Sequence, residues 1–474
     1  MTARPLSLPG AEHGTPLLAF LVALAFAPLA AVSPRVAAYV VVGGLVLAVV
    51  LRSLLAGLAL FIVLTFPEQL PGALGIGPTL AKPLGIVLVL SWLLLIAADR
   101  DHAIPFLPRD SPVLTSALLA LVGWSLTSLI WASDRSLTLN GLSRLVQLVA
   151  LVFVTYSAVR RARDLLVLAA ALLVGGVVTS VYALASGTLS YGRLTGGIFN
   201  ANTFAAELVV AIVVATFLLV SVRRAALRLI LLASIMLFFA AFVETQSRSG
   251  LLALGAAAVA AVALGGPVRG RLTAVVLVAS ALGLMYYVYA APPELRARVS
   301  SITSGASEAS PQRADTWQIA LRVTRDHPVL GVGLKNFPAV ESHYVATNVN
   351  VLDVRILRRY ELIVHNTYLE ILAELGVVGL LLFLCVLAMT VGRSVVALVR
   401  RGRDYRPRIL QRALTAGTIG VLTSQIFNSG EYSKQLWLLL AMVVGGAMLD
   451  TRRIPLRTQA RAPRFGRFVQ APAA

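Results

Sequence analysis

Residues 364–384 read VHNTYLEILAELGVVGLLLFL, and this stretch decides the fold. Its second half is an apolar run of the kind that crosses a lipid bilayer. Its first half carries a histidine, an asparagine and two carboxylates, at His365, Asn366, Glu370 and Glu374. Ionisable side chains are costly where lipid begins, so the stretch predicts both a membrane helix and a functional group at the mouth of that helix.

The composition extends this interpretation to the whole chain. Of 474 residues, 58% are hydrophobic and 13% are charged, and the mean hydropathy is +0.84, whereas soluble domains carry about 25% charged residues. The net charge of +20 does not indicate nucleic-acid binding, because the arginines fall in short clusters between apolar runs. The single cysteine, Cys385, and five histidines without zinc-motif spacing lead us to expect no metal and no other cofactor.

The apolar runs predict an all-α, polytopic membrane protein with about 12–14 transmembrane helices, each of roughly 17–25 residues. The candidate spans are 16–32, 36–51, 54–66, 80–98, 112–131, 141–158, 164–186, 202–222, 227–243, 250–266, 271–290, 372–392, 409–428 and 433–449. One large polar loop, 291–365, interrupts the series. It contains a predicted amphipathic helix at the membrane surface, whose stripe is Arg313, Trp317, Leu321 and Arg325.

The arginine clusters predict the orientation of the chain. Alternating the spans puts the clusters and both termini on the cytoplasmic side, and the large loop on the outer side. The chain is thereby divided into four segments. They are an N-terminal helix bundle (1–290), an outer loop with short helices (291–365), C-terminal helices (366–450), and a basic cytoplasmic tail (451–474) that we expect to be disordered.

Residues 192–202, GRLTGGIFNAN, fall on the predicted outer side. Glycines beside Arg193 allow backbone amides to approach a ligand closely. Asn200 and Asn202 precede the next span, and asparagine also favours a helix N-cap. The stretch is compatible both with a ligand-binding loop that uses these three polar residues and with a simple turn that ends in a cap.

Three further residues on the outer side are candidates for chemistry. Arg248, in ETQSRSG, lies on the predicted outer side, although arginines in short loops usually lie on the cytoplasmic side. Its position indicates either a function or an ion pair with Glu244. Arg313 opens the amphipathic helix, where a guanidinium suits a phosphate, although a solvated charge is the alternative. His365 accepts a proton near neutral pH or serves as a hydrogen-bonding group.

Taken in order, the stretches GRLTGGIFNAN, TQSRSG, RADTWQIALRVTRDHPVLGVGLKNF and HNTYLEILAELGVVGLLLF resemble the O-antigen ligase family, which includes O-antigen polymerases and related lipid-linked oligosaccharide transferases. The resemblance covers residues 190–390. It implies a bacterial inner-membrane enzyme with its active site facing the periplasm. The donor would be an undecaprenyl-pyrophosphate-linked glycan, and the acceptor a glycan, lipid or protein. It also implies that Arg248, Arg313 and His365 are essential. The family often has proline where this chain has Ala201.

Physical chemistry supports the same site. A lipid-linked donor holds its pyrophosphate at the headgroup level, where cations stabilise the departing charge without a metal. A hydroxyl acceptor is a weak nucleophile and benefits from a base such as His365. We therefore expect a metal-independent, inverting transfer. The catalytic residues would be Arg248, Arg313 and His365, and the substrate-binding residues Arg193, Asn200, Asn202, Trp317, Asn366 and Glu370.

Three alternatives stay open. The motifs do not separate a ligase from a polysaccharide polymerase of the same family. A membrane transporter suits the number of spans, but the sequence shows neither the internal repeats nor the broken helices typical of that class. A cell-wall glycan polymerase of the shape-and-division type would use a loop carboxylate. The candidates for it are Asp315, Glu341, Asp353 and Glu361.

Overall fold

The computed structural model describes residues 43–44, 47–66, 81–187, 189–190, 192–195, 200–293, 296–297, 300, 309–346, 363–400 and 408–449. The helices with both ends in these ranges are α1 (Leu54–Thr65), α2 (Ala81–Ala98), α3 (Leu107–Asp110), α4 (Pro112–Thr127), α5 (Arg135–Ala158), α6 (Ala162–Ser186), α7 (Ala201–Leu219), α8 (Ala225–Thr245), α9 (Arg248–Leu264), α10 (Arg269–Tyr289), α11 (Ala309–Asp326), α12 (Phe337–Ala346), α13 (Thr367–Leu387), α14 (Arg393–Arg400), α15 (Ile409–Ser424) and α16 (Lys434–Met448). The described residues also contain two short antiparallel β-strands, β1 (Leu189–Ser190) and β2 (Arg193–Leu194). The all-α prediction is confirmed.

Eight helical segments of the described residues are long and apolar enough to cross a membrane. They are Ala81–Ala98, Pro112–Ile130, Arg135–Ala158, Ala162–Ser186, Ala201–Leu219, Ala225–Thr245, Gly266–Tyr289 and Thr367–Arg400, with shorter apolar helices at α1, α9 and α16. Every predicted span that lies wholly in the described ranges is mainly helical, and the span 372–392 is interrupted at Gly376. The predicted span 16–32, most of 36–51 and the basic tail lie outside them. The chain is a multi-pass membrane protein.

Helix α7 lies at the centre of the bundle and packs against α8, α9 and α15. Its side chains are buried on all faces, and Phe204, Leu208 and Phe217 are each 0% exposed. Small residues allow the helices to approach closely, since an added Cβ at Gly420 of α15 would lie 2.8 Å from Ala253 O of α9. Helix α10, by contrast, exposes most of its apolar side chains, as expected of a helix that faces lipid.

Helix α13 is interrupted at Gly376, whose φ of 67° and ψ of −171° are not helical. Glycine reaches this conformation because it has no Cβ, and an added Cβ here would lie 2.0 Å from Val329 O. The expectation that no helix is broken is therefore wrong. A glycine inside an apolar run gives no local signal of a break, because ordinary membrane helices contain glycine as well.

Residues 327–336, the docking segment, fill this break. Interrupting a membrane helix frees backbone groups, and each must find a partner within the protein. The docking segment and one tryptophan supply these partners. The bonds run from Val332 N to Ala373 O (3.1 Å), from Gly333 N to Glu374 O (2.8 Å), from Val377 N to Pro328 O (2.9 Å) and from Trp124 Nε1 to Leu375 O (2.9 Å).

The predicted amphipathic helix is present as α11, but its packed face differs from the predicted stripe. The buried side chains are Thr316, Ile319, Ala320 and Val323, which lie against α13 and α12. Leu321, a stripe residue, is 45% exposed. Helices α13 and α12 cover the face of α11 that carries its small and β-branched residues, so this face is the buried one.

Candidate active site

The N-terminal end of α13, with the adjoining turn 428–433, forms what we call the mouth. Asn366 caps α13, and its side chain accepts hydrogen bonds from Tyr368 N and Leu369 N, each 3.1 Å. Thr367 N donates to Asn428 O (3.1 Å), and Gly430 N donates to the Thr367 hydroxyl (2.8 Å). These bonds fix the segment that carries His365.

His365 sits at the mouth in a left-handed backbone conformation, with φ 54°. Its Nδ1 is buried and has no hydrogen-bond partner among the described residues. Burial and, to a smaller extent, the positive charge of Arg313 together lower the pKa of His365 to about 4. The imidazole is therefore neutral at physiological pH and is able to accept a proton or a hydrogen bond.

Two arginines from separate motifs meet beside this histidine. Arg313 lies on α11, and Arg248 is the first residue of α9. Burial lowers the pKa of the Arg313 guanidinium, and the neighbouring charge of Arg248 lowers it as well. The three residues predicted to be catalytic thus lie close enough for Arg313 to interact electrostatically with both of the others.

Arg193 and Asn202 hold the turn that presents Arg248. Arg193 donates from Nε to Thr245 O (2.9 Å) and from an η nitrogen to Asn202 Oδ1 (2.7 Å). Ser247, the N-cap of α9, donates from its hydroxyl to the same Asn202 oxygen (2.8 Å). The first outer motif is thus joined to the second through two predicted binding residues.

Asn200 is the N-cap of α7, and its side chain accepts from Asn202 N (2.8 Å). Its amide nitrogen lies 3.5 Å from Asn428 Oδ1, and Asn428 Nδ2 donates to Thr203 Oγ1 (3.0 Å). The predicted N-cap is therefore confirmed at Asn200, and ligand binding by this turn stays a prediction. Ala201 is the first helical residue, a position that proline also occupies readily, so the departure from the family pattern is compatible with the same helix start.

Trp317 links Arg313 to the segment of His365. Its indole Nε1 donates to Val364 O (3.0 Å), and its ring stacks on Phe427 with centroids 6.2 Å apart. Trp317 lies one helical turn from Arg313, and Val364 directly precedes His365. The tryptophan therefore fixes the spacing between the two groups.

The mouth also contains acidic residues, of which sequence reasoning found only part. Glu370 accepts a hydrogen bond from the Ser429 hydroxyl. The Glu374 carboxylate accepts from Lys335 N (2.7 Å) and Phe337 N (3.4 Å), at the start of α12. Glu431 was missed. The available signal was an ionisable residue in a very short turn between two apolar helices, the same signal that identified Arg248.

Glu431 and its neighbour Tyr432 are both perturbed by this environment. Burial raises the pKa of Glu431 to about 7, against the opposing effects of Lys335 and a hydrogen bond from Thr367. Burial also raises the pKa of Tyr432, and the nearby carboxylates add to that effect. The Lys335 ammonium lies 6.0 Å from the centre of the Tyr432 ring.

Comparison with known proteins finds a family match over part of the chain. No curated protein matches the chain. Residues 232–384 match the family model described as O-antigen ligase. The match contains Arg248, Arg313 and His365, whereas Arg193 and Glu431 lie outside it. This family covers glycan-transferring ligases and polymerases. The chain is a multi-pass membrane protein that carries a domain of the O-antigen ligase family in residues 232–384.

Proposed function

We propose that the protein transfers a glycan from an undecaprenyl-pyrophosphate-linked donor to an acceptor hydroxyl at the outer face of the bacterial cytoplasmic membrane, as an O-antigen ligase does. The observation that supports this proposal is that Arg313 interacts electrostatically with both Arg248 and His365. Arg248 lies on α9, Arg313 on α11 and His365 just before α13, and all three lie inside the region that matches the family.

The two arginines bind the donor pyrophosphate. Holding Arg248 near a partly buried Arg313 is electrostatically unfavourable, as the lowered pKa of Arg313 indicates. An anion placed between them relieves that repulsion. A guanidinium also matches phosphate oxygens with two parallel hydrogen bonds. The same contacts strengthen as charge develops on the leaving pyrophosphate, so they lower the barrier without a metal.

His365 serves the acceptor. In a single displacement, the acceptor oxygen forms a bond to the anomeric carbon as the bond from that carbon to the pyrophosphate breaks. The leaving group takes the bonding electrons, and His365 takes the hydroxyl proton. The anomeric configuration is inverted, and no covalent glycosyl-enzyme forms.

The other residues around the mouth support these roles. Arg193 and Asn202 hold the turn of Arg248, and Asn200, Asn366 and Trp317 fix the helices that meet there; some of these polar groups also contact the substrate. The carboxylate of Glu370, held by Ser429, accepts hydrogen bonds from acceptor sugar hydroxyls. A glycan, a lipid or a protein hydroxyl is compatible with this chemistry.

Two experiments separate the candidate functions. In liposomes with a lipid-linked glycan, we expect transfer to an acceptor without solute flux. Flux without transfer would instead support a transporter, a class that the break at Gly376 brings back into consideration. In a deletion strain, loss of long chains with normal acceptor indicates a ligase. Surface glycans of single repeats indicate a polymerase.

The proposed four-segment division and orientation place residues 291–365 outside and both termini in the cytoplasm. A cysteine in place of Val345, in a chain whose Cys385 has been replaced, tests this arrangement. We expect a membrane-impermeant thiol reagent to label it from outside. Labelling only from the cytoplasmic side would contradict the orientation and the proposed site together.

A further inference from the structure

A cleft lies at the opposite end of the segment Thr367–Arg400 from the mouth, where α14 passes α16. Its volume is about 580 Å³, which is in the size range of sites that hold small molecules. We call it the arginine cleft. Its lining includes four apolar or small residues and two arginines, namely Ala388, Gly392, Val396, Ala447, Arg393 and Arg400.

One wall of the arginine cleft is a π-helical turn, Ala388–Gly392, which continues directly into α14. Such turns are rare and are frequent at functional sites. An added Cβ at Gly392 would meet nothing within 4 Å, so the cleft is open space at this position. The wall from residue 388 to residue 400 rises by roughly 18 Å along the helix axis, which is long enough to accommodate part of an acyl chain.

The two arginines lie on one face of this wall. Arg393 and Arg400 are seven residues apart, a spacing that returns to the same side of a helix. Arg393 donates from an η nitrogen to the Ser111 hydroxyl (2.8 Å), which anchors it to the start of α4. Arg400 is exposed in the last turn of α14. Neither arginine has an ion-pair partner in the part of the chain that the structure describes, so the two charges attract an anion.

The surroundings of the two arginines are apolar. Val396 and Val399 of α14 are 45% and 66% exposed, as expected of a helix that faces lipid. Along the wall, the small residues Ala388 and Gly392 come first and Arg400 comes last, which is the order of tail and headgroup in a phospholipid. The proposed orientation places this end in the cytoplasmic leaflet, where anionic headgroups attract arginines beside membrane helices.

We propose that the arginine cleft binds one anionic phospholipid. Arg393 and Arg400 bind the phosphate through charge-assisted N–H···O hydrogen bonds, and an acyl chain lies against Ala388, Gly392 and Ala447. The inference goes beyond the proposed glycan transfer and does not depend on it, because no residue of the mouth takes part. A soluble anion would use the guanidinium groups alone, whereas a phospholipid uses the apolar part of the cleft as well.

The test is native mass spectrometry of the full chain in neutral detergent, titrated with lipids that have the same acyl chains. We expect dioleoyl phosphatidylglycerol to bind more tightly than dioleoyl phosphatidylcholine. Inorganic phosphate at the same concentration should not displace the phosphatidylglycerol. In R393Q/R400Q, the affinity for phosphatidylglycerol should fall by about 10–30-fold, because two favourable contacts between a cation and the headgroup are lost.

G392L tests the cleft apart from its charges. The leucine side chain fills the open space while both arginines remain. Binding of phosphatidylglycerol should weaken by about fourfold for each acyl methylene that loses its apolar contact. R223Q/R224Q is the matched control, because it removes two exposed arginines just before α8, outside the cleft. We expect this control to keep the wild-type affinity.

The outcomes separate a lipid site from simpler explanations. Equal losses in R223Q/R224Q and R393Q/R400Q would show general attraction to a positive surface, and equal binding of the two lipids would remove the preference for an anion. Either result overturns the site. Unchanged binding in G392L, or displacement by inorganic phosphate, would show that the arginines hold a soluble anion and would overturn the lipid assignment.

Two further variants decide the matter if the first ones do not fold. R400Q replaces R393Q/R400Q, because Arg400 makes no hydrogen bond within the described residues, whereas Arg393 holds Ser111. Unchanged phosphatidylglycerol binding in R400Q rejects the site. A447L replaces G392L, since it fills the cleft from α16, and unchanged binding in A447L rejects the acyl-chain contact.

Discussion

The mouth has two halves that are built differently. The cationic half consists of Arg193, Arg248, Arg313 and the neighbouring neutral His365. It comes from stretches that read as motifs, and side-chain hydrogen bonds of Arg193 and Trp317 help to hold it together. The acidic half, Glu370, Glu374 and Glu431, depends on the break in α13 and on the turn before α16. This difference in construction is compatible with the proposed roles, in which the arginines of the cationic half hold the donor anion and His365 takes the acceptor proton.

Replacement of Arg313 should have the largest effect of the changes in the cationic half. Arg313→Ala should lower transfer by about 10²–10³-fold or more, since it removes a cation that stabilises the leaving pyrophosphate. Arg313→Lys should restore only part of the activity, because an ammonium does not make the two parallel contacts of a guanidinium. Arg248→Ala should behave in the same way. Both donor affinity and turnover are to be measured on purified protein in liposomes.

Arg325→Ala provides the control for these variants. Arg325 lies on the same helix, α11, and is exposed, so its loss should leave transfer unchanged. Full activity in both Arg313→Ala and Arg248→Ala would remove the anion-binding role from the cationic half.

His365 belongs to the cationic half by position and to proton transfer by chemistry. His365→Gln should lower turnover by about 10²–10⁴-fold and leave donor affinity intact. Because the pKa of His365 is lowered to about 4, the free enzyme should lose this base only as pH falls through about 4, well below the ordinary histidine value. The dependence of kcat/KM on pH measures this. His327→Gln, at an exposed histidine, is the control. Wild-type turnover in His365→Gln would show that the imidazole is not the base.

The halves also differ in how far the sequence predicted them. The spans follow from local hydropathy, and Arg248, Arg313 and His365 stand out because charge beside apolar runs is unusual. The break at Gly376 depends on a segment some forty residues earlier, which hydropathy and periodicity do not connect to it. Glu431 was missed for a similar reason, since its environment is made by α13 and the docking segment rather than by its own neighbours in the chain.

A change in the backbone of α13 should disturb the acidic half more than the cationic half. Gly376→Ala forces a side chain into a left-handed conformation and against Val329 O, so we expect a loss of about 1–3 kcal/mol in stability. Thermal unfolding in detergent measures this loss. Gly283→Ala is the control, because an added Cβ on α10 meets nothing within 4 Å. Equal melting temperatures for the two variants would show that the docking segment does not depend on the glycine.

The smallest expected effect concerns the electrostatic link between Arg313 and His365. Arg313→Gln removes the charge that helps to lower the pKa of His365 but leaves the larger cause, burial, in place. The pKa should therefore rise above about 4 and stay below 6.5, as histidine-selective NMR titration would report. Inorganic pyrophosphate should raise the same pKa in the wild type, because an anion compensates the arginine charge, and should have less effect in the variant. Arg325→Gln serves as the control and should leave the titration unchanged. A His365 titration that responds neither to Arg313→Gln nor to pyrophosphate would show that the two residues are not coupled, and that the histidine senses burial alone.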